Sequence, residues 1–276
     1  MYTQQGSKLI VMHSSILFST MAYASTAILH PPSKTAVRLF SINGGHTSQT
    51  SKIVHFIRHA EGTHNLNEEE SKLPIHFDAQ LTPKGIYQCK QLSKYTADIN
   101  LDSILISPTT RTLQTAQHSF PHLYNNDSSI PFIAIEEWRE TVNYLCDARG
   151  SKTSLVKSFP RVNFDNISHE EDPIWKHYEG KYGCYKTHTK TRESGDKIGL
   201  YQRSHNAWRT LMSRSEKNIA IVSHSAFFMH NFICQYAELE SIVEYMDHEV
   251  KELMSSKRFD NCELRSVVVD LPTDQV

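Results

Sequence analysis

No acidic residue occurs in the first sixty positions; the first is Glu61. That stretch carries Lys8, Lys34, Arg38, Lys52 and Arg58 among many Ser and Thr. An acid-poor, Ser-rich, weakly apolar start is the composition of a targeting peptide, secretory or organellar. Ala22-Tyr23-Ala24 has the small-x-small spacing of a cleavage site. The other reading is a disordered tail with no address. Both readings place residues 1–50 outside the fold. The protein is then cytoplasmic, or organellar or secretory if the segment is a targeting peptide. A long apolar run is missing too. Leu9 to Ala24 is interrupted by His13, Ser14 and Ser15, so no membrane span is predicted.

Cysteine is sparse: five residues, odd in number, widely spaced and without a C-x-x-C pair. This excludes a disulfide scaffold and a thiolate zinc site. Sixteen histidines are present but none forms H-E-x-x-H, and His169, His177 and His188 are too far apart for one helical turn. No metal and no cofactor are expected. The net charge is −1, which gives nucleic acid no electrostatic hold. With 276 residues, 39% hydrophobic and 21% charged, the chain can build one large domain or two small ones. It shows no internal repeat.

From Lys52 the sequence alternates between short apolar runs and helical patterns. Ile53–Ile57, Ser103–Ile106, Pro131–Ile135 and Asn218–Val222 read as buried strands. Ser266–Val269 reads as a last strand near the sheet edge. Thr82-Pro83 is an N-cap and first-turn proline for a helix to about Ala97. Thr110–His118, Lys197–Met212 and a stretch from about Ala226 also read as helices. The pattern predicts a three-layer α/β/α fold around a mostly parallel sheet. Residues 141–192 break the rhythm and are expected to form an irregular insertion over the C-terminal edge of the sheet.

The chemistry gathers at strand ends. The first strand runs into Arg58-His59, the second into Ser107-Pro108 and then Arg111. The third ends near Glu136-Glu137-Trp138-Arg139-Glu140, the fourth in Ser223-His224. In a parallel sheet these ends share one rim, the edge where open α/β sheets bind ligands. An imidazole can act as nucleophile or proton carrier, and guanidinium forks clamp oxyanions. A cation in the first turn of a helix, as at Arg111, opposes the helix dipole and points to an anionic partner.

These motifs resemble the histidine phosphatase superfamily, also called phosphoglycerate mutase-like. Arg58-His59-Ala60-Glu61 with Asn65 is similar to the family's Arg-His-Gly-Glu opening. Asp78-Ala79-Gln80-Leu81-Thr82 with Gly85 resembles its Asp-x-x-Leu-Thr-x-x-Gly helix start. Ser107–Ala116 resembles its second arginine motif, Trp138-Arg139-Glu140 its acidic position, and Ile221–His224 the strand bearing its second histidine. The likeness spans roughly residues 51–270 and looks closest to a eukaryotic branch. Ala60 and Ser225 stand where the family usually has Gly, which suggests altered loop geometry rather than lost chemistry. Cys146–Ser151 in the insertion also looks like that branch, without implied roles.

The resemblance implies a metal-independent phosphatase acting on a phosphorylated small molecule or phosphoprotein. His59 would form a phosphohistidine and Glu140 would be the proton donor, with Glu136 and Glu137 as competitors for that role. Arg58, Asn65, Arg111 and His224 would bind the phosphoryl group. His55 and His64 read as strand and loop residues. One alternative is mutase-type phosphoryl transfer. Mutases of the family usually have Trp before the Asn and Arg-His-Tyr-Gly after the acid, where this chain has His64 and Thr141–Tyr144. A second alternative is an inactive phosphate-binding protein. Substrate and oligomeric state stay open.

Overall fold

The computed structural model describes residues 37–40, 48–67, 72–126, 128–232 and 242–270. Residues 1–36 lie outside the described residues, and with them the cleavage-site and tail readings. The described elements, in chain order, are β1 (Val37–Phe40), β2 (Lys52–Arg58), α1 (Pro83–Thr96), β3 (Ser103–Ile106), α2 (Thr110–Ser119), α3 (Pro121–Tyr124) and β4 (Phe132–Ala134). They continue with α4 (Lys152–Ser158), β5 (Val162–Asn163), α5 (Pro173–Tyr182), α6 (Lys197–Met212), β6 (Asn218–Ser223), α7 (Ser225–Phe232), β7 (Val243–Tyr245), α8 (His248–Ser255) and β8 (Leu264–Asp270).

One sheet runs in the order β5-β4-β3-β6-β2-β8-β1-β7. Its pairings are parallel except those of β8, which is antiparallel to both β2 and β1. Successive side chains on a strand face opposite ways, and the two cores follow from that period. Ile219 and Ile221 of β6 join Val54 and Phe56 of β2 on one face, under α6, α7 and α8. Ala220 and Val222 join Ile104 and Ile106 of β3 on the other face, with Leu92 of α1 and Leu113 of α2. The first core is aromatic: the Phe56 ring centroid lies 5.0 Å from Phe232, 5.6 Å from Phe228 and 5.8 Å from Trp208. The result is the three-layer α/β/α arrangement that the sequence predicts.

Three placements differ from the sequence expectations. Val37–Phe40 lies in the stretch set outside the fold, yet it pairs with β8 and β7. Ser48 and Thr50 likewise donate to the Asp270 carboxylate. With β1 and β7 outside it, β8 is an interior strand rather than one near the edge. The insertion is also more regular than expected. It holds α4, capped by Ser151, and α5, capped by Asp172, and its β5 adds an edge strand beside β4. Arg139 ties it down. This buried guanidinium donates to Asp172 Oδ2 at 2.7 Å and Glu136 Oε2 at 3.1 Å, while Arg149 also donates to Glu136.

Candidate active site

The register of β2 and β6 brings the histidines together. Arg58 pairs with Ser223, and the His59 N–H donates to the Ser223 carbonyl at 2.9 Å. The next residues, His59 and His224, then stand side by side with ring centroids 5.1 Å apart. Strand β3 ends one position away. The Ser107 N–H donates to the Val222 carbonyl, and Ser107 Oγ lies 2.7 Å from His224 Nε2.

His59 is 2% exposed, and its Nδ1 is 2.8 Å from the Ala60 carbonyl oxygen. A carbonyl only accepts, so Nδ1 carries the proton and Nε2 keeps its lone pair. Burial, then the charges of Arg111 and Arg58, holds His59 well below the ordinary imidazole pKa. The ring is therefore neutral at physiological pH. His224 is held low by burial and by Arg111 in the same way.

The loop after His59 is stitched in place. Gly62 bridges Leu81, Glu61 accepts from Thr82 Oγ1 and Lys84 Nζ, and the Thr82 side chain caps α1 by accepting from Gly85 N–H. Gly85 packs so close to this loop that a Cβ would fall 2.2 Å from the Glu61 carbonyl oxygen. Ala60 N–H donates to Thr115 Oγ1, and neither Ala60 nor Ser225 has a positive φ. The two departures from the family's glycines thus carry no backbone strain.

Behind His59 lies the turn that leads into β8. Arg58 Nη1 donates to the Phe259 carbonyl, and Asn261 Nδ2 donates to the His59 carbonyl at 3.1 Å. Cys262 N–H is shared by the carbonyls of Arg58 and His59, each at 3.2 Å. Cys262 reaches this position at φ +62°, the left-handed region that L-residues rarely adopt.

Arg111 is fully buried in the first turn of α2. Its Nη1 donates to the Cys146 carbonyl at 2.6 Å, and its Nη2 lies 3.7 Å from Asp147 Oδ1. Asp147 comes from the insertion and was not singled out in the sequence, because a lone acid far from the arginine leaves no local spacing. Among the described residues, Arg58 Nε, Arg111 Nε and Nη2, His64 Nδ1 and His224 Nδ1 are all buried without a hydrogen-bond partner. Orphaned buried donors are uncommon in folded proteins. A group of them around one neutral imidazole matches the acceptor-rich surface of a phosphoryl group.

Glu140 Oε1 accepts from the N–H of Phe227 at 2.9 Å and of Thr141 at 2.8 Å. The first turn of α7 therefore serves the carboxylate. Burial, then the charge of Asp147, raises the Glu140 pKa, against the pull of Arg111 and the two amides. Glu136 is taken by Arg139 and Arg149. Arg203 braces the Glu140 segment from behind, donating to the carbonyls of Glu137, Arg139 and Glu140 and pairing with Glu193. Asn65 sits exposed on the turn Thr63–Asn65, with Oδ1 accepting from Gly62 N–H. His55 is held inside the sheet by Ser266 and Asn218.

Among the described residues no group of three or more His, Cys, Asp or Glu is placed to hold a metal ion. Among the same residues, no helix is long and apolar enough to cross a membrane.

Comparison with known proteins agrees with this geometry. A phosphoglycerate mutase-like protein of Arabidopsis thaliana is 31% identical, covering 79% of this chain and 84% of its own. Phosphoglycerate mutase-like protein 2 of the same plant is 30% identical over 79% of this chain and 74% of its own. A Schizosaccharomyces pombe protein named "Probable phosphatase" is 28% identical over 63% and 74%. Residues 54–247 match the histidine phosphatase superfamily (branch 1), so the chain belongs to that superfamily and is an enzyme of its phosphatase class.

Proposed function

We propose that this enzyme hydrolyses phosphomonoesters through a phosphohistidine on His59. The observation that carries the reading is the fixed tautomer of His59, whose Nε2 lone pair is left free beside the unpartnered donors of Arg58, Arg111 and His224. The two guanidiniums neutralise the phosphoryl dianion, so the reading needs no metal. His224 adds a neutral donor from Nδ1 when Ser107 Oγ–H donates to its Nε2. Asn65 offers its second amide N–H from the rim.

In the first step Nε2 of His59 attacks phosphorus in line. The bond to the ester oxygen breaks as the bond to nitrogen forms, and Glu140 protonates the departing oxygen. In the second step Glu140 takes a proton from water, whose oxygen attacks phosphorus and releases phosphate from His59. The raised pKa of Glu140 favours its protonated form, the form a proton donor needs. Catalysis is otherwise positioning and charge stabilisation.

The test is hydrolysis of p-nitrophenyl phosphate without added metal, with phosphate trapped on His59 after acid-free quenching. His59→Ala should fold and be inactive; turnover by that variant rules the mechanism out. Conversion of 3-phosphoglycerate to its 2-isomer, faster than hydrolysis of any ester in a panel of sugar phosphates and phosphopeptides, would instead establish a mutase. Phosphate binding without turnover of any ester would establish a binding protein.

A further inference from the structure

We propose that His64 is a further phosphate-binding residue, donating from Nδ1–H to an oxygen of the group that His59 attacks. The inference rests on the phosphatase reading and adds a donor to it. The sequence places His64 in a loop, with nothing to say that its ring turns inward.

The hydrogen bonds of the Thr63–Asn65 turn fix which nitrogen of His64 carries the proton. Asn65 Oδ1 accepts from Gly62 N–H at 3.0 Å, so the oxygen of that amide is identified by its donor. Asn65 Nδ2 then faces His64 Nε2 at 3.2 Å and can only donate to it. Nε2 is the acceptor, and the proton of the neutral ring sits on Nδ1. That Nδ1 is sealed from solvent and finds no acceptor among the described residues.

The ring is also in the right place. Its centroid lies 5.5 Å from that of His59, nearly as close as His224 is. Gly62 leaves room for it: a Cβ there would fall 2.8 Å from His64 Nδ1 and Cε1. Burial, followed by the charges of Arg111 and Arg58, holds the His64 pKa down to about 2, so the ring stays a neutral donor. An unpaired, solvent-sealed N–H on a ring that neighbours His59 and feels the charges of Arg111 and Arg58 is well matched by an anionic oxygen.

Three substitutions separate contact from bracing. His64→Asn keeps an N–H where Nδ1 stands and loses the Nε2 acceptor. His64→Gln can keep an acceptor for Asn65 and loses the inner donor. His64→Phe keeps the ring shape and loses both. Inorganic phosphate affinity is measured by titration calorimetry, and KM for p-nitrophenyl phosphate in parallel. Thermal melting of each variant confirms that it is folded. The expected result is a loss of about tenfold or more in phosphate affinity for the Phe and Gln variants, with Asn within about threefold of the parent. Equal affinities throughout, or an Asn variant as weak as the Phe variant, overturn the inference. Failure of the parent itself to bind phosphate would remove the phosphatase reading instead.

Discussion

The backbone N–H of Phe227 donates to Glu140 Oε1 at 2.9 Å, so the helix that follows His224 also holds the Glu140 carboxylate. Two strand ends far apart in sequence are thereby locked at one distance. With Glu140→Gln, proton donation and water activation are both lost. The expected outcome is a fall of about 100-fold or more in kcat toward alkyl phosphates. With p-nitrophenyl phosphate, whose leaving group needs no proton, the variant should release a burst of nitrophenolate and accumulate phosphoenzyme. Rapid-quench kinetics distinguish this from a uniform slowing, which would argue against the dual role.

Asp147 raises the Glu140 pKa from its position beside Arg111. Asp147→Asn removes that negative charge, so Glu140 should lose its proton at lower pH. As a general acid it must be protonated, and the basic limb of kcat/KM therefore moves to lower pH. Profiles for an alkyl phosphate check this; a limb that stays or moves upward would contradict the assignment.

Gly85 and Gly180 both lie in helices but differ in what a methyl group meets. At Gly85 a Cβ runs into the Glu61 backbone at 2.2 Å, whereas at Gly180 nothing lies within 4 Å. Gly85→Ala should cost about 1–3 kcal/mol in urea unfolding and lower activity by shifting the His59 loop. Gly180→Ala should be stabilising by about 0.5–1 kcal/mol with activity unchanged.

His55 is buried among β2, β6 and β8, and burial takes its pKa down to about 4. The unfolded chain binds a proton near pH 6.5, where the native state does not. This contribution to stability is complete above about pH 6.5 and is lost as pH falls towards 4, by about 3 kcal/mol at most. His55→Asn should flatten the stability profile between those values, as read from denaturant midpoints. An unchanged slope would mean that other histidines carry the acid sensitivity.

The strands that carry the site were legible because they are buried on both faces and read as unbroken apolar runs. The start of α1 was legible from Thr82-Pro83; Arg58, Arg111 and His224 were singled out by their position after strands or in a first turn, and Glu140 was preferred to Glu136 and Glu137 through the family resemblance. The missed parts have different physics. Strand β1 is four residues long and owes its order to β8 and β7 rather than to its own pattern. Helix α5 opens with Asp172-Pro173, the same cap chemistry as α1, but buries only Trp175 and Tyr178 and so shows little periodicity. Asp147 and the Ser107 hydroxyl meet Arg111 and His224 across the fold, and no local spacing announces those contacts.

The turn behind His59 has a consequence for how the protein is made. Arg58 and Phe259, joined by a hydrogen bond, are 201 residues apart. Asn261, Cys262 and strand β8 fasten the same loop and are among the last described residues to be synthesised. A nascent chain still missing them already ties this loop to Leu81, Thr82 and Thr115 and His59 to Ser223, but lacks the contacts behind Arg58 and His59. Under the phosphatase reading, the support behind His59 is therefore completed only when β8 is seated between β1 and β2.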